Sequence, residues 1–267
     1  MGSGYRLTSL SLRWIWLTFW MTGLGYSKPL TVLMIAVDDM RPDLGCYGAK
    51  HVKTPNIDRL AAGGVLFENV YCQQAICGPS RASLLTGLRP DSVGVHGNNA
   101  HYRDLHPDVV TLPQFFKNAG YFSVACGKIN HGVFPVGMAP RWDVMGDRFS
   151  WSVPAYRPGP RYYYTEEGVS VAQGNFKKMF PKRPIEEWGN YLVFGPLEEA
   201  PDVADDVLYD GQVAKRAVGY LNEFGKKKEE PFFLTVGFIK PRSPYIAPKK
   251  YFDLYERDQI ELAKNQV

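Results

Sequence analysis

Residues 31–37 read TVLMIAV, a continuous apolar run rich in β-branched side chains. Such a run predicts a strand of a parallel sheet that is covered on both faces, because a half-exposed strand would alternate apolar and polar residues. Residues 232–238 (FFLTVGF) form a second run of the same kind. We therefore expect a sheet in which the first run is a central strand.

Helix and strand signals alternate between these two runs. Thr54 and Pro55 are typical of a helix start, and Gly63 with Gly64 is typical of its end. Further strands are predicted at residues 65–70 and 121–126, and further helices at residues 79–87, 111–120, 213–224 and 248–255. This alternation predicts the α/β class, with a doubly wound, mostly parallel sheet flanked by helices.

The pattern weakens over residues 129–202, which are rich in proline, glycine and aromatic residues. A long irregular segment in an α/β enzyme either forms the rim of the substrate site or packs as an insertion, and the sequence leaves both possibilities open. The sequence ends at Val267, just after a predicted helix and without a closing strand. We therefore expect the sheet to be incomplete at the C-terminus.

Residues 1–27 are predicted to be a signal peptide. Arg6 and Arg13 provide positive charge before the apolar residues 14–24, and small residues follow at Gly25 and Ser27. The apolar run is shorter than the roughly 20 residues that span a bilayer, so no stable membrane span is expected. An uncleaved anchor is the alternative. Export predicts a secreted, periplasmic or lysosomal protein.

Composition excludes some classes of function. The chain is 45% hydrophobic and 22% charged, as in ordinary globular proteins. Removal of Arg6 and Arg13 would lower the formal charge of +4 by two, which is too little positive charge to predict a nucleic-acid partner. The four cysteines allow three disulfide pairings, and the sequence selects none of them.

Two adjacent acids follow the first predicted strand. Asp38 and Asp39 come directly after residues 31–37, and the carboxyl ends of parallel strands line the ligand crevice of an open sheet. Neighbouring carboxylates repel each other unless a cation lies between them, and oxygen ligands favour Ca²⁺ or Mg²⁺. The alternative is a pair of loop aspartates, one capping and one solvated.

A second cluster reads CGPSR at residues 77–81. Pro79 is typical of the first turn of a helix, which would place Cys77 at the helix N-terminus, where free N–H groups and the helix dipole attract anions. Arg81 would add a charge-assisted contact to a sulfate or phosphate group. Cys77 is therefore a candidate nucleophile with a lowered pKa, or alternatively a buried structural thiol.

The residues CGPSR, followed by LLTG at 84–87, resemble the signature of the sulfatase family, in which the cysteine is oxidised to formylglycine. Four other segments resemble the family in order and spacing: VDDMRPDLGCYG (37–48), TPNIDRLAAGGVLFENVY (54–71), GKINH (127–131) and FIKPRSPY (238–245). SWSVPAYRP (150–158) and PFFLTVGFIKP (231–241) look most like the iduronate-2-sulfatase type. The resemblance covers about residues 30–260 and implies the alkaline-phosphatase-like fold.

The resemblance implies a nucleophile and a metal site. Asp38 and Asp39 would bind a calcium ion together with an oxygen of the residue made from Cys77. The aldehyde hydrate at position 77 would attack the sulfur atom and displace the alcohol. Arg81 would hold that hydrate. If Cys77 is used in this way, three cysteines remain, so at least one is expected to be a free thiol.

The resemblance also assigns substrate contacts, with one departure. Lys128 would bind sulfate oxygens, and His131 would orient or deprotonate the second hydroxyl of the hydrate, which then expels sulfate. Lys240 matches a sulfate-binding lysine of the family. Arg242 stands where the family usually has histidine, and arginine can bind sulfate but cannot protonate a leaving alcohol near neutral pH.

The expected activity is hydrolysis of sulfate esters on a sulfated sugar or glycosaminoglycan. The implied partners are this substrate and the formylglycine-generating machinery of the host. In the family, further metal ligands and a second active-site lysine follow the segment matched here, so we expect residues 28–267 to be the N-terminal part of a longer catalytic domain. The alternatives are a phosphate or phosphonate monoester hydrolase and a catalytically incomplete protein that binds sulfated glycans.

Overall fold

A parallel sheet of three strands lies at the centre of the structure, a computed structural model that describes residues 30–132, 146–159, 163–190, 193–227 and 230–260. The strands are β1 (Val32–Val37), β2 (Phe122–Gly127) and β4 (Phe232–Phe238), in the order β1-β4-β2. Two short strands, β3 (Glu198–Glu199) and β5 (Tyr245–Ile246), form a separate parallel pair.

Eight α-helices are described between and after these strands. They are α1 (Pro55–Ala62), α2 (Cys77–Thr86), α3 (Pro90–Val93), α4 (Tyr102–Leu105), α5 (Leu112–Asn118), α6 (Glu166–Met179), α7 (Tyr209–Lys226) and α8 (Lys249–Phe252). The predicted helices near residues 55, 112 and 213 are confirmed. Helix α2 begins at Cys77, two residues before the predicted start at Pro79.

Helices pack on both faces of the sheet. Because side chains alternate along a strand, Ala125 of β2 joins one core cluster, and its neighbours Val124 and Cys126 join another. The first cluster includes Ala82 and Leu85 of α2. The second cluster contains the buried stripe of α7: Val213, Ala217, Tyr220 and Phe224. This arrangement confirms the predicted α/β class and doubly wound sheet.

The predicted central position of β1 is wrong for the described sheet. β4 pairs with both neighbours, and β1 lies at an edge of the three strands. Leu33 and Ile35 on one face of β1 keep 46% and 51% of their surface exposed. A continuous apolar run therefore indicated a strand of a parallel sheet but not its place in the strand order, because periodicity does not specify neighbours.

Two other predictions fail. Residues 65–70 form no strand, and Val65, Phe67 and Val70 are exposed, so their apolar composition finds no pairing partner among the described residues. Residues 129–202 include the 14-residue helix α6, which the sequence analysis missed. Thr165 caps α6 by accepting a hydrogen bond from Gly168 N at 3.0 Å, a local start signal that the surrounding irregular composition obscured.

All four cysteines, each within the described ranges, are free thiols, and Cys126 is buried in the core behind the sheet. Burial raises the pKa of Cys126 to about 11, so this thiol stays protonated at neutral pH. The predicted signal peptide lies outside the described residues. Within those residues, no helix combines the length and the apolar character that crossing a membrane requires.

Candidate active site

The carboxyl ends of the three parallel strands meet at one edge of the sheet. Asp38 follows β1 and donates its N–H to the Phe238 carbonyl at 3.0 Å, and Lys128 follows β2 and donates its N–H to the Gly237 carbonyl at 2.9 Å. A Cβ atom on Gly237 would lie 1.8 Å from the Lys128 carbonyl oxygen, so only glycine fits there. This close approach brings the residues after β1 and β2 together.

Asp38, Arg81 and Lys128 form a buried charged centre. Arg81 reaches from α2 and donates to Asp38 Oδ1 from Nη2 at 2.9 Å and from Nε at 3.3 Å. Lys128 Nζ donates to the other oxygen, Oδ2. Burial would raise the pKa of Asp38, but the charges of Lys128 and Arg81 outweigh it and hold that pKa below its usual range.

Arg81 also fixes the backbone after β2. Its Nη1 donates to the carbonyl oxygens of Lys128 at 2.7 Å and Ile129 at 2.8 Å. One guanidinium therefore joins α2, the end of β1 and the end of β2. Burial lowers the pKa of Lys128, and the Asp38 carboxylate opposes that shift. The predicted roles of Arg81 and Lys128 in catalysis stay predictions, and the structure places both beside Asp38.

Cys77 is the first residue of α2 and is half-buried. Its Sγ lies 3.7 Å from Nδ2 and 3.8 Å from Oδ1 of Asn98, and the same Oδ1 accepts the Gly78 N–H at 2.9 Å. Asn98 therefore fixes the start of α2 and contacts the thiol. No local sequence pattern singled out Asn98, since an asparagine beside a glycine also indicates an ordinary turn.

His131 lies among the same charges. Burial and the charge of Lys128 lower the pKa of His131 to about 3; Arg242 and Arg81 add to this shift, and the Asp38 carboxylate opposes it. The imidazole is therefore neutral at neutral pH, and one of its ring nitrogens can accept a hydrogen bond. Its neighbour Asn130 is buried, and the Tyr102 hydroxyl contacts Asn130 Oδ1 at 2.9 Å and Asp147 Oδ2 at 3.0 Å. This polar network supports the segment that carries His131.

Residues 239–244 form the β4 loop, which carries the last two predicted site residues. Arg242 Nε lies 3.6 Å from Asp38 Oδ2 and 3.6 Å from Asp39 Oδ2, so Arg242 bridges the adjacent acids. Lys240 Nζ donates instead to carbonyl oxygens of its own loop, that of Arg242 at 3.2 Å and that of Pro244. Burial lowers the pKa of Lys240 to about 8.

Asp210 of α7 holds the start of the β4 loop and was also missed by the sequence analysis. Its Oδ1 accepts the Ile239 N–H at 2.9 Å, and its Oδ2 accepts the Lys240 N–H at 2.8 Å. Burial raises the pKa of Asp210. An acid in the first turn of a helix ordinarily suggests an interaction with the helix dipole. No sequence signal therefore linked Asp210 to the β4 loop.

The described residues do not form a calcium site by themselves. Asp38 and Asp39 offer the hard oxygens that Ca²⁺ prefers, but Ca²⁺ takes about six to eight such ligands. The Asp38 oxygens accept hydrogen bonds from Arg81 and Lys128. Within the described ranges, no group of three or more His, Cys, Asp or Glu side chains is placed to hold a metal ion.

Comparison with known proteins identifies the family. The sulfatase family model matches residues 30–266, and the chain belongs to the sulfatase family. Iduronate 2-sulfatase of Mus musculus is 38% identical over 234 residues, which cover 88% of this chain and 39% of that protein, and the Homo sapiens enzyme gives the same values. The chain thus spans about two fifths of the length of these relatives.

Solved structures support the fold. The phosphonate monoester hydrolase of Agrobacterium radiobacter matches with a TM-score of 0.57 and 24% identity, over 85% of this chain and 44% of the hydrolase. The crystal structure of Ps i-CgsB matches with a TM-score of 0.59 and 22% identity, over 86% of this chain and 49% of that chain. The predicted alkaline-phosphatase-like fold is confirmed.

Proposed function

We propose that this chain carries the nucleophile half of an enzyme that hydrolyses sulfate esters on a sulfated sugar or glycosaminoglycan, with iduronate 2-sulfatase as the relative that suggests the substrate. One observation carries the proposal. Cys77 lies at the N-terminus of α2, and Arg81 of the same helix reaches the buried pair of Asp38 and Lys128. The family assignment and the identity to iduronate 2-sulfatase support it.

The charges at this edge of the sheet suit an anionic group. Arg81, Lys128 and Arg242 are cations, Asp38 and Asp39 are anions, and His131 is neutral at neutral pH. The cations therefore outnumber the carboxylates by one. This excess of positive charge would attract a sulfate monoester, which carries one negative charge, and a calcium ion bound by Asp38 and Asp39 would add to the attraction.

A formylglycine hydrate at position 77 would supply two hydroxyl groups on one carbon, one to attack sulfur and one whose deprotonation releases sulfate. Cys77 is half-buried, and its Sγ lies beside the Asn98 side-chain amide. This amide is a polar group that could form a hydrogen bond with a hydroxyl of the hydrate. Arg81 would orient residue 77, and Lys128 would bind sulfate oxygens. His131, neutral in this environment, would orient the second hydroxyl by accepting its hydrogen bond, and deprotonation of that hydroxyl by His131 would require a higher pKa than here.

Lys240 and Arg242 are proposed as substrate-binding residues of the β4 loop. Arg242 is better placed, since its guanidinium already lies beside Asp38 and Asp39. Asp38, Asp39 and an oxygen of residue 77 are proposed as three ligands of a calcium ion, whose other ligands would come from outside the described residues. Arg242 would bind substrate oxygens and would not donate a proton to the leaving alcohol.

The proposal includes export and modification. A chain with residues 1–27 as a signal peptide would meet the formylglycine-generating machinery before or during export. Tryptic cleavage after Arg59 and Arg81 releases residues 60–81 as one peptide, which contains Cys72 and Cys77. Mass analysis of this peptide tests whether residue 77 is converted, with Cys72 as the internal reference.

Sulfate release by the full-length protein tests the activity. The protein would be made in a host that converts cysteine to formylglycine and assayed on sulfated disaccharides, an aryl sulfate, an aryl phosphate and a phenyl phosphonate ester. Turnover of sulfate esters above the other substrates is expected. Preference for the phosphorus esters would establish the alternative hydrolase. Binding of heparin without turnover of any ester would establish a catalytically incomplete glycan-binding protein.

A further inference from the structure

Asp210 makes an unusual set of contacts for an acid at the start of a helix. It is the second residue of α7, and the helix is preceded by Leu208, whose side chain makes no capping hydrogen bond. The Asp210 carboxylate turns away from the helix and accepts the Ile239 N–H at 2.9 Å and 3.1 Å and the Lys240 N–H at 2.8 Å. A helix-capping role does not explain this direction.

The β4 loop is held from two sides. Asp210 binds the N–H groups at its start, and Lys240 Nζ binds the carbonyl oxygens of Arg242 and Pro244 further along. Both contacts join a side chain to backbone atoms, so they fix the path of the loop. The residue that this path presents to the charged centre is Arg242, with Nε 3.6 Å from both Asp38 and Asp39.

We propose that Asp210 is a positioning residue for substrate binding. It does not touch the substrate, and it acts by holding the β4 loop so that the Arg242 guanidinium faces the anionic group beside the charged centre. This inference rests on the proposed function, which provides the anion. It assigns a role to a half-buried acid that lies outside the short motifs quoted for the resemblance to sulfatases.

Only a carboxylate at position 210 can make all of these contacts. Each of its two oxygens accepts an N–H, and Oδ2 accepts two of them. In D210N, an NH₂ group replaces one oxygen and would face a backbone donor, so one hydrogen bond is lost while the size of the side chain is kept. In D210A, both N–H groups lose their partner. The predicted order of loop stability is therefore wild type, then D210N, then D210A.

Hydrogen exchange tests the clamp, meaning the contact of the Asp210 carboxylate with the Ile239 and Lys240 N–H groups, without any assay of activity. In the full-length protein, exchange of the Ile239 and Lys240 amides is expected to be faster by about 10-fold in D210N and by more in D210A, because an unpaired donor opens more easily. The control is D206N, at an exposed acid that pairs with Lys215 on the surface, and it leaves these amides unchanged. Unchanged exchange in D210A, or equal acceleration throughout α7, would overturn the inference.

A double-mutant cycle tests the link to Arg242. We expect D210N to raise KM for a sulfate ester by about 10-fold with little change in kcat, and to weaken binding of inorganic sulfate by a similar factor. In an R242A background the same substitution should change neither value further. An equal loss in both backgrounds would show that Asp210 acts only on general stability. Absence of turnover in the wild type would contradict the proposed function alone, since exchange and sulfate binding still test the clamp.

Discussion

The charged centre and the β4 loop lie at the same edge of the sheet and are built in opposite ways. In the centre, Asp38, Arg81 and Lys128 are buried and hold one another by contacts between charged side chains. In the loop, side chains hold backbone atoms, and Arg242 keeps 27% of its side-chain surface exposed. Arg242 joins the two regions, because its guanidinium contacts Asp38 of the centre.

This difference means that substitutions in the charged centre cost more stability than substitutions in the β4 loop. A buried ion pair that loses one partner leaves an uncompensated charge, so each member of the centre is costly to change. A partly exposed cation at 3.6 Å is screened by water and contributes little to stability. Arg242 of the loop can therefore be changed at a smaller cost in stability than a member of the centre.

The largest expected effect comes from residue 77 itself. C77S keeps a polar group of similar size at the start of α2 but cannot provide a second hydroxyl on the same carbon, so kcat for sulfate release should fall by about 10⁴-fold or more. C72S is the matched control, because Cys72 is an exposed free thiol five residues earlier. Substantial turnover by C77S would show that the chemistry does not depend on a modified cysteine.

Stability distinguishes the two arginines that contact Asp38, beginning with Arg81. R81A removes one of the two buried cations that pair with Asp38, together with two hydrogen bonds to carbonyl oxygens, so the free energy of unfolding should fall by about 3–5 kcal/mol. Urea denaturation of the full-length protein measures it. R41A is the control, since the Arg41–Asp43 pair is on the surface and should contribute less than about 1 kcal/mol. Equal effects of R81A and R41A would contradict a buried charged centre.

Local sequence signals predicted the parts of this architecture that depend on short segments. Apolar runs identified β1 and β4, and proline with glycine located α1. The resemblance to sulfatases selected Asp38, Arg81 and Lys128, and the structure brings them together. Arg81 is 43 residues and Lys128 is 90 residues from Asp38 along the chain. Spacing alone could not show that Arg81 would join the two strand ends, because that contact depends on how α2 packs.

The failed predictions involve long-range neighbours. The edge position of β1 and the missing strand at residues 65–70 depend on which segments are available to pair, and composition does not specify this. Asp210 and Asn98 were missed for a related reason. Each acts on a backbone N–H that is 20 or more residues away, and such a contact leaves no local pattern. Residues that position other groups are therefore harder to predict than residues in a signature.

Lys240 gives a pH-dependent test of the loop. Its pKa is about 8 in the folded protein against 10.5 for an unperturbed lysine. Between these values the unfolded chain binds more protons, so this lysine makes the free energy of unfolding rise with pH, by about 2–3 kcal/mol from pH 8 to 10.5. K240M should lack that contribution, while K215M, at an exposed lysine, should keep it. Parallel pH profiles for K240M and the wild type would contradict burial of Lys240.

The smallest expected change in stability is that of R242A, and it completes the comparison with Arg81. Arg242 contacts the same carboxylate, but at 3.6 Å and with its side chain partly exposed, so the free energy of unfolding should change by about 1 kcal/mol or less. Substrate binding should respond more strongly, with KM for a sulfate ester raised about 10-fold, because a charge-assisted contact to the anion is lost. R242K keeps the charge but not the fork of donors, so its KM should lie between those of the wild type and R242A. A loss of stability as large as that of R81A, with KM unchanged, would show that Arg242 is a structural member of the charged centre and does not bind the substrate.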